Sequence, residues 1–131
     1  MIHLDKIRQF SNSMPDRAAA VSGHSELSWQ QFQELTEARL HFLLTQFCGR
    51  LPTQACIVSH NELNLLPWMA ALATLGIPVT GLDYTLPADA LHSLAIQLGA
   101  DFLLVSSSAR GGSGAALDFG PMSAVRFDLD S

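Results

Sequence analysis

Charged residues are scarce in this 131-residue chain, at 15% of the sequence against about 25% in an average soluble domain. Basic residues are the scarcer kind, since seven Lys and Arg stand against twelve Asp and Glu and give a net charge of −5. A chain of this charge with no basic cluster is a poor partner for nucleic acid or an anionic membrane. Apolar residues reach 48%, so the sequence predicts one domain that buries an unusual share of its side chains or presents an apolar surface to a partner.

The sequence also lacks the patterns of common metal, nucleophile and dinucleotide sites. Cys48 and Cys56 fit no metal-ligand spacing, and the five histidines include no i,i+4 pair. No Ser/His/Asp or Cys/His set has a supporting context, and no Gly-x-Gly-x-x-Gly follows a strand. We therefore predict no catalytic, cofactor-binding or metal-binding residues, and we interpret Cys56 as an inert buried thiol.

No uninterrupted apolar run is long enough to cross a bilayer. The longest apolar stretch is broken by Asn64, Pro67 and Thr74. Residues 1–13 carry charges and no apolar run of signal-peptide length. These observations predict a cytoplasmic protein that uses no membrane.

The most strongly patterned stretch runs from residue 55 to residue 83. Residues 55–59 predict a buried strand, residues 63–75 an apolar helix that Gly76 ends, and residues 77–83 a second strand. A strand, a crossover helix and a strand predict parallel pairing with a right-handed connection. Because the helix is apolar on all sides, we expect it to be buried on several sides.

A third strand and an N-terminal region complete the predicted α/β fold. Its core is a parallel, three-stranded, Rossmann-like sheet with flanking helices, formed by residues 55–59, 77–81 and 101–105. A helix at 87–98 with Gly99 as its C-cap precedes the last of these strands. The N-terminal part is predicted as a short helix, a small hairpin and a long helix, at residues 2–10, 18–28 and 29–48. Ser28 and Gln31 predict a capping box at the start of the long helix.

Two positions compete for the start of the central helix. If Asn61 is the N-cap, Pro67 falls in the helix interior, where proline costs about 3 kcal/mol. If Asn64 is the N-cap, Pro67 lies in the first turn, where its missing N–H does no harm. We favour Asn64.

The C-terminal part is predicted as a separate segment. Residues 1–106 form the domain, and residues 107–131 form a Ser/Gly-rich linker and a short edge strand at 123–129. The Ser/Gly run at 106–114 contains no lysine, so we interpret it as a linker and not as a phosphate loop. His60 and Asn61 follow a strand and are interpreted as a polar turn, while Asp83 could contact a ligand or start a loop.

Several motifs, in order, resemble the AMP-forming acyl-adenylating enzymes, a superfamily of acyl-CoA synthetases, adenylation domains of non-ribosomal peptide synthetases (NRPS) and luciferases. The motifs are a Leu-Ser-Trp-x-x-Phe run from Leu27, Asn61 followed by a helix ending at Gly76, Gly81-Leu82-Asp83, and the Leu-Gly-Ala-Asp-Phe-Leu-Leu-Val run from Leu98. The family has proline where this chain has Gly81. The resemblance covers about residues 14–106 and is limited to the N-terminal portion of the superfamily's large AMP-binding domain.

The resemblance implies a parent ligase that activates a carboxylic acid with ATP and Mg²⁺ to an acyl-adenylate. The acyl group then passes to a thiol of coenzyme A or of a carrier protein. The phosphate loop, hinge and catalytic lysine of such enzymes lie outside this chain, so the fragment is expected to catalyse nothing and to need no cofactor itself. Its partner would be the remainder of the adenylation domain.

Two other functions fit the same sequence. One is a stand-alone interaction module, a truncated adenylation-like domain that binds a protein partner through an exposed apolar face. The other is a small-ligand domain of flavodoxin-like topology, for which the sequence offers no phosphate-cradling loop. The high apolar content predicts self-association in either of the first two cases.

Overall fold

The computed structural model comprises two compact units. Its described residues are 2–59, 63–106 and 123–127. The first unit, here called the helical unit, is built from Met1–Leu51 and Glu62–Gly76. It contains three helices and a hairpin, namely α1 (Leu4–Ser13), β1 (Ala18–Ser22), β2 (Ser25–Ser28), α2 (Trp29–Phe47) and α3 (Leu65–Thr74).

In the helical unit, α2 packs against both α1 and α3. The shared apolar cluster takes Ile7 from α1, Leu27 from the antiparallel hairpin, Phe32 from α2 and Ala70 from α3. The backbone N–H of Leu4 donates to Thr74 Oγ1 at 3.1 Å, which ties the start of α1 to the end of α3. The predicted N-terminal helix, hairpin and long helix are therefore confirmed.

The helix starts follow local capping chemistry. The N–H of Gln31 donates to Ser28 Oγ at 3.1 Å, and the N–H of Ser28 donates to Gln31 Oε1 at 3.0 Å, which is the predicted capping box. Helix α3 begins at Leu65 with Asn64 as N-cap, so Pro67 lies in the first turn as we favoured. The alternative N-cap, Asn61, lies outside the described residues.

The sheet unit is built from Pro52–Asn61 and Ile77–Ser131. Its elements are β3 (Ala55–Val58), β4 (Val79–Leu82), α4 (Ala88–Gln97), β5 (Phe102–Ser106) and β6 (Ser123–Phe127). The described strands are parallel and lie in the order β4-β3-β5-β6. This confirms the predicted α/β class and its parallel Rossmann-like core, and β6 supplies the predicted edge strand.

The apolar runs of β3 and β5 reflect burial along their whole length. Leu91 and Ala95 of α4 pack in one cluster with alternate strand residues, namely Cys56, Val58, Leu103 and Val105. Strands buried on both faces read as continuous apolar runs and not as alternating ones, which is the pattern found in the sequence. The predicted linker within 107–122 lies outside the described residues, so the division of the chain at residue 106 stays a prediction.

Asp101 joins the amino-terminal ends of β3 and β5. Its carboxylate accepts hydrogen bonds from the N–H of Thr53 at 3.0 and 2.9 Å, from Thr53 Oγ1 at 3.1 Å and from the N–H of Gln54 at 3.0 Å. Partial burial by itself raises the pKa of Asp101, but these hydrogen bonds outweigh it and hold the pKa below its ordinary value. The ionised carboxylate therefore stabilises the folded chain.

Replacing this carboxylate by the amide in Asp101→Asn is expected to lower the free energy of unfolding by about 1 kcal/mol at neutral pH, a value reduced because the side chain is exposed. Since folding depresses the pKa, the stabilisation is present above the ordinary value of about 3.9 and is lost as the pH falls through the folded-state pKa. Urea unfolding across the acid range measures it. The exposed Asp16→Asn is the control, and an equal loss in both variants would contradict this role for Asp101.

Thr36 places a hydroxyl in the packed interior of the helical unit. The residue lies in α2 and is fully buried, and its Oγ1 has no hydrogen-bond partner among the described residues. A buried hydroxyl without a partner loses its hydration and gains nothing in return.

We expect Thr36→Val to raise the free energy of unfolding by about 1 kcal/mol, because the replacement keeps the shape and removes the unsatisfied hydroxyl. The same change at Thr45, which is exposed on α2, should alter stability by less than about 0.5 kcal/mol. Thermal and urea unfolding of the two variants test this, and a destabilised Thr36→Val chain would disprove it.

Candidate functional site

The carboxyl ends of parallel strands meet at one edge of the sheet, where α/β proteins usually bind ligands. In this sheet the register pairs Val58 with Leu82 and with Val105. The residues at or just beyond these strand ends are therefore close neighbours along one edge. We call Ser59, Asp83, Thr85 and Ser106 the carboxyl edge.

Asp83 holds the turn that follows β4. Its Oδ1 accepts hydrogen bonds from the N–H of Thr85 at 2.9 Å and from Thr85 Oγ1 at 2.7 Å. The N–H of Leu86 donates to the Asp83 carbonyl at 3.3 Å and closes the turn. The Thr85 side chain, and then its backbone N–H, lower the pKa of Asp83, so a negative charge is maintained here. The structure thus gives this predicted candidate a defined role in starting the loop.

The other members of the carboxyl edge differ in exposure. Ser106 is fully buried at the end of β5, while Ser59 is half-buried immediately after β3. His60, Asn61 and the Ser/Gly run beyond Ser106 lie outside the described residues. Of the residues singled out in the sequence, Asp83 and Ser106 are thus placed on this edge.

In the sheet unit, residues 52–59 and 77–106 contain Asp83, Asp89 and Asp101 but no Lys or Arg, while Arg126 lies in β6 opposite Val105. Nucleotide phosphates are bound through cations and clustered backbone N–H groups. Of the four residues of the carboxyl edge, only Asp83 is charged, and a carboxylate at this position opposes the binding of a free polyphosphate.

The geometry gives little support to a reactive cysteine or to a metal-binding site. Burial raises the pKa of the Cys56 thiol, which agrees with the inert role predicted for it, while Cys48 is exposed. Within the described residues, no group of three His, Cys, Asp or Glu side chains could hold a metal ion. No helix in the same part of the chain is long and apolar enough to cross a membrane.

The helical unit carries a concave surface that the sequence did not reveal. It lies between β2 and α2, is open to solvent, and has a volume of ≈ 380 Å³. Its lining residues are Glu26, Leu27, Gln31, Glu34 and Leu35. Gln30 Nε2 donates to Glu34 Oε1 at 3.3 Å, so one of its two carboxylates is engaged by a neighbour on the same helix. We interpret this groove as solvated surface.

The hydroxyl of Thr85 should control the ionisation of Asp83. In Thr85→Val the Oγ1–H donor is lost, so the pKa of Asp83 is expected to rise toward the ordinary value of about 3.9. A carboxyl-carbon NMR titration measures this pKa. Asp101 is the internal control, since its lowered pKa depends on Thr53 and Gln54 and should stay unchanged; no change at Asp83 would refute the assignment.

Neither a family model nor a curated protein matches the sequence, but solved structures match the fold of the chain. The chain superposes on an artificially fused adenylation-PCP di-domain NRPS from Klebsiella oxytoca with a TM-score of 0.70 and 18% identity, covering 94% of this chain and 22% of that one. It matches O-succinylbenzoate coenzyme A synthetase from Bacillus subtilis, solved with AMP, at a TM-score of 0.67 and 18% identity. That match covers 95% of this chain and 31% of the synthetase.

A fatty acyl CoA synthetase from Mycobacterium tuberculosis matches with a TM-score of 0.71 and 16% identity, over 98% of this chain and 26% of that one. This chain thus spans between 22% and 31% of the length of these three proteins. At such low identity the similarity establishes the fold. The chain has the fold of the N-terminal portion of the AMP-forming acyl-adenylating enzymes, as the sequence motifs predicted.

Proposed function

We propose that this chain is the N-terminal part of an AMP-forming ligase that joins a carboxylic acid to a thiol and that it is not catalytic by itself. The observation that carries this proposal is that the structural matches cover nearly all of this chain but only a small part of each matching enzyme. The structural matches take in at least 94% of this chain but at most 31% of the adenylating enzymes reported above. The missing length corresponds to the phosphate loop, hinge and catalytic lysine that the resemblance implies for the parent enzyme.

The charges of the chain support the same conclusion. Its single lysine is Lys6, which lies exposed on α1 of the helical unit. The carboxyl edge contributes Asp83, whose pKa is lowered and which therefore remains anionic. ATP and Mg²⁺ would be bound in the parent enzyme by groups that the remaining polypeptide supplies, and the acyl acceptor would be coenzyme A or a carrier protein.

The isolated chain is expected to support no ATP–pyrophosphate exchange and to bind ATP more weakly than millimolar, because residues 52–59 and 77–106 of its sheet unit contain no cationic side chain for the phosphates. Calorimetric titration with Mg·ATP and an exchange assay measure both properties. Binding at millimolar affinity or tighter, together with exchange, would falsify the claim that the chain alone is inactive.

The size of the native gene product separates this proposal from its rival. An antibody raised against this chain should detect a band several times heavier than 14.2 kDa in the source cell. Adenylate formation by that heavier protein would then identify the acid. A band at the mass of the chain alone would refute the ligase proposal.

The second candidate is a stand-alone module that binds a protein partner through apolar surface. It is favoured by exposed apolar side chains, which include Val21 at 65% and, at the end of α4, Ile96 at 56% and Leu98 at 43% exposure. Under this alternative, the chain is complete in function at its own mass, and its partner should co-purify with it. The same blot therefore tests both candidates.

A further inference from the structure

Among the described strands of the sheet, β4 is an edge strand. Among the described strands, β4 ends the order of the sheet and pairs with β3 only. A Cβ placed on Gly81, in the middle of the strand, would meet nothing within 4 Å. No described strand pairs with β4 on the side away from β3, and Gly81 adds no side chain to that stretch.

The N–H and C=O groups of successive residues in a β-strand point to alternate sides, and this alternation determines which backbone groups face away from β3. The N–H of Ala55 donates to the carbonyl of Pro78 at 2.8 Å, so the polar groups of Pro78 face β3. Successive residues point to opposite sides, which directs Thr80 inward and Val79 and Gly81 outward. The open edge thus presents the N–H and C=O groups of Val79 and Gly81.

This edge has none of the devices that usually protect exposed strands, which are charged side chains, outward prolines and bulges. The register with β3 runs without a shift from Ala55–Val79 to Val58–Leu82, so β4 contains no bulge. The strand has no charged residue, and the missing N–H of Pro78 falls on the inner side. Within the described part of the chain, neither outward N–H donates to a backbone carbonyl, so both can serve in pairing.

We propose that a second copy of this chain pairs with β4 in antiparallel fashion, about a two-fold axis that passes beside Thr80. Val79 of one copy then stands opposite Gly81 of the other, and each such pair exchanges both of its N–H···O hydrogen bonds. A β-branched side chain opposite a glycine causes no crowding on the shared face. The strand is thus self-complementary in both backbone polarity and side-chain size.

The charges of the chain permit this arrangement despite its net charge of −5. Asp83, the first charged residue after the strand, comes opposite Ile77 of the other copy. The two Asp83 residues lie about 20 Å apart along the strands, from a rise of about 3.4 Å per residue. That separation exceeds the screening length of about 8 Å at physiological salt, so the carboxylates do not oppose pairing. This inference does not rest on the proposed ligase function.

The decisive variant is Gly81→Pro, which removes the outward N–H from each copy and leaves the bonds between β4 and β3 intact. Analytical ultracentrifugation should show a monomer–dimer equilibrium for the wild-type chain. The variant should raise the dimer Kd about tenfold or more, because each copy loses one hydrogen-bond donor.

Gly81→Ala is the matched control, since it keeps the N–H and its Cβ meets nothing within 4 Å in the single chain. A methyl group opposite Val79 is an ordinary cross-strand pair, so this variant should dimerise nearly as tightly as the wild-type chain. Far-UV circular dichroism checks that both variants keep the fold. If Gly81→Pro fails to fold, hydrogen exchange on the wild-type chain decides: protection of the Val79 and Gly81 amides should rise with protein concentration. Any of three results would overturn the proposal. The wild-type chain could be monomeric at millimolar concentration, the proline variant could dimerise as tightly as the alanine variant, or the amide protection could be independent of protein concentration.

Discussion

The rest of the sheet unit depends on the parallel pairing of β3 with a strand on each of its two sides. A parallel strand cannot return through a tight turn, so each neighbour must arrive after a long connection. With both faces buried, the strand tolerates only apolar residues, and Ala55 to Val58 are all buried. Polar anchoring is left to the strand ends, where Asp101 binds the backbone of Thr53 and Gln54. One physical constraint therefore explains both the continuous apolar runs and the position of the carboxylate.

The same pairing creates a carboxyl edge whose chemistry is incomplete. Parallel register brings Ser59, Asp83 and Ser106 together at the carboxyl ends of the strands, which is the usual place for a ligand. Asp83 is committed to its turn by two hydrogen bonds from Thr85, and its ionised state adds negative charge. A phosphate-binding enzyme needs the opposite sign at such an edge. The combination of this fold with Asp83 at its edge supports the proposal that the chain is one part of a larger ligase.

Both candidate functions use the exposed apolar side chains and the outer edge of β4. The outer side of β4 presents backbone donors, and Ile96 of α4 and the C-cap residue Leu98 add exposed apolar area on the sheet unit. In a longer ligase such surface would be available to the missing polypeptide, and in a stand-alone module it would be available to a partner. An edge strand presents its outward N–H and C=O groups, so pairing of two copies would be driven by the gain of a continuous ladder and not by relief of buried polar groups.

Local interactions made much of this fold readable from the sequence. Three features depend only on neighbours within about one helical turn: the Ser28–Gln31 capping box, the position of Pro67 in the first turn of α3, and the glycine at position 76. The apolar runs that begin at residues 55 and 102 were sufficient to predict the parallel core. Strand order, the register that puts Asp83 near Ser59, and the bond between Asp101 and Thr53 depend on residues that are far apart in the chain. Thr36 illustrates the same limit, because the helical pattern gives its position but only packing reveals that its hydroxyl is buried. Sequence alone thus determined the elements and the family resemblance, whereas the tertiary structure decided the open edge and the charge at the strand ends, since pairing between distant segments has no signal in local residue patterns.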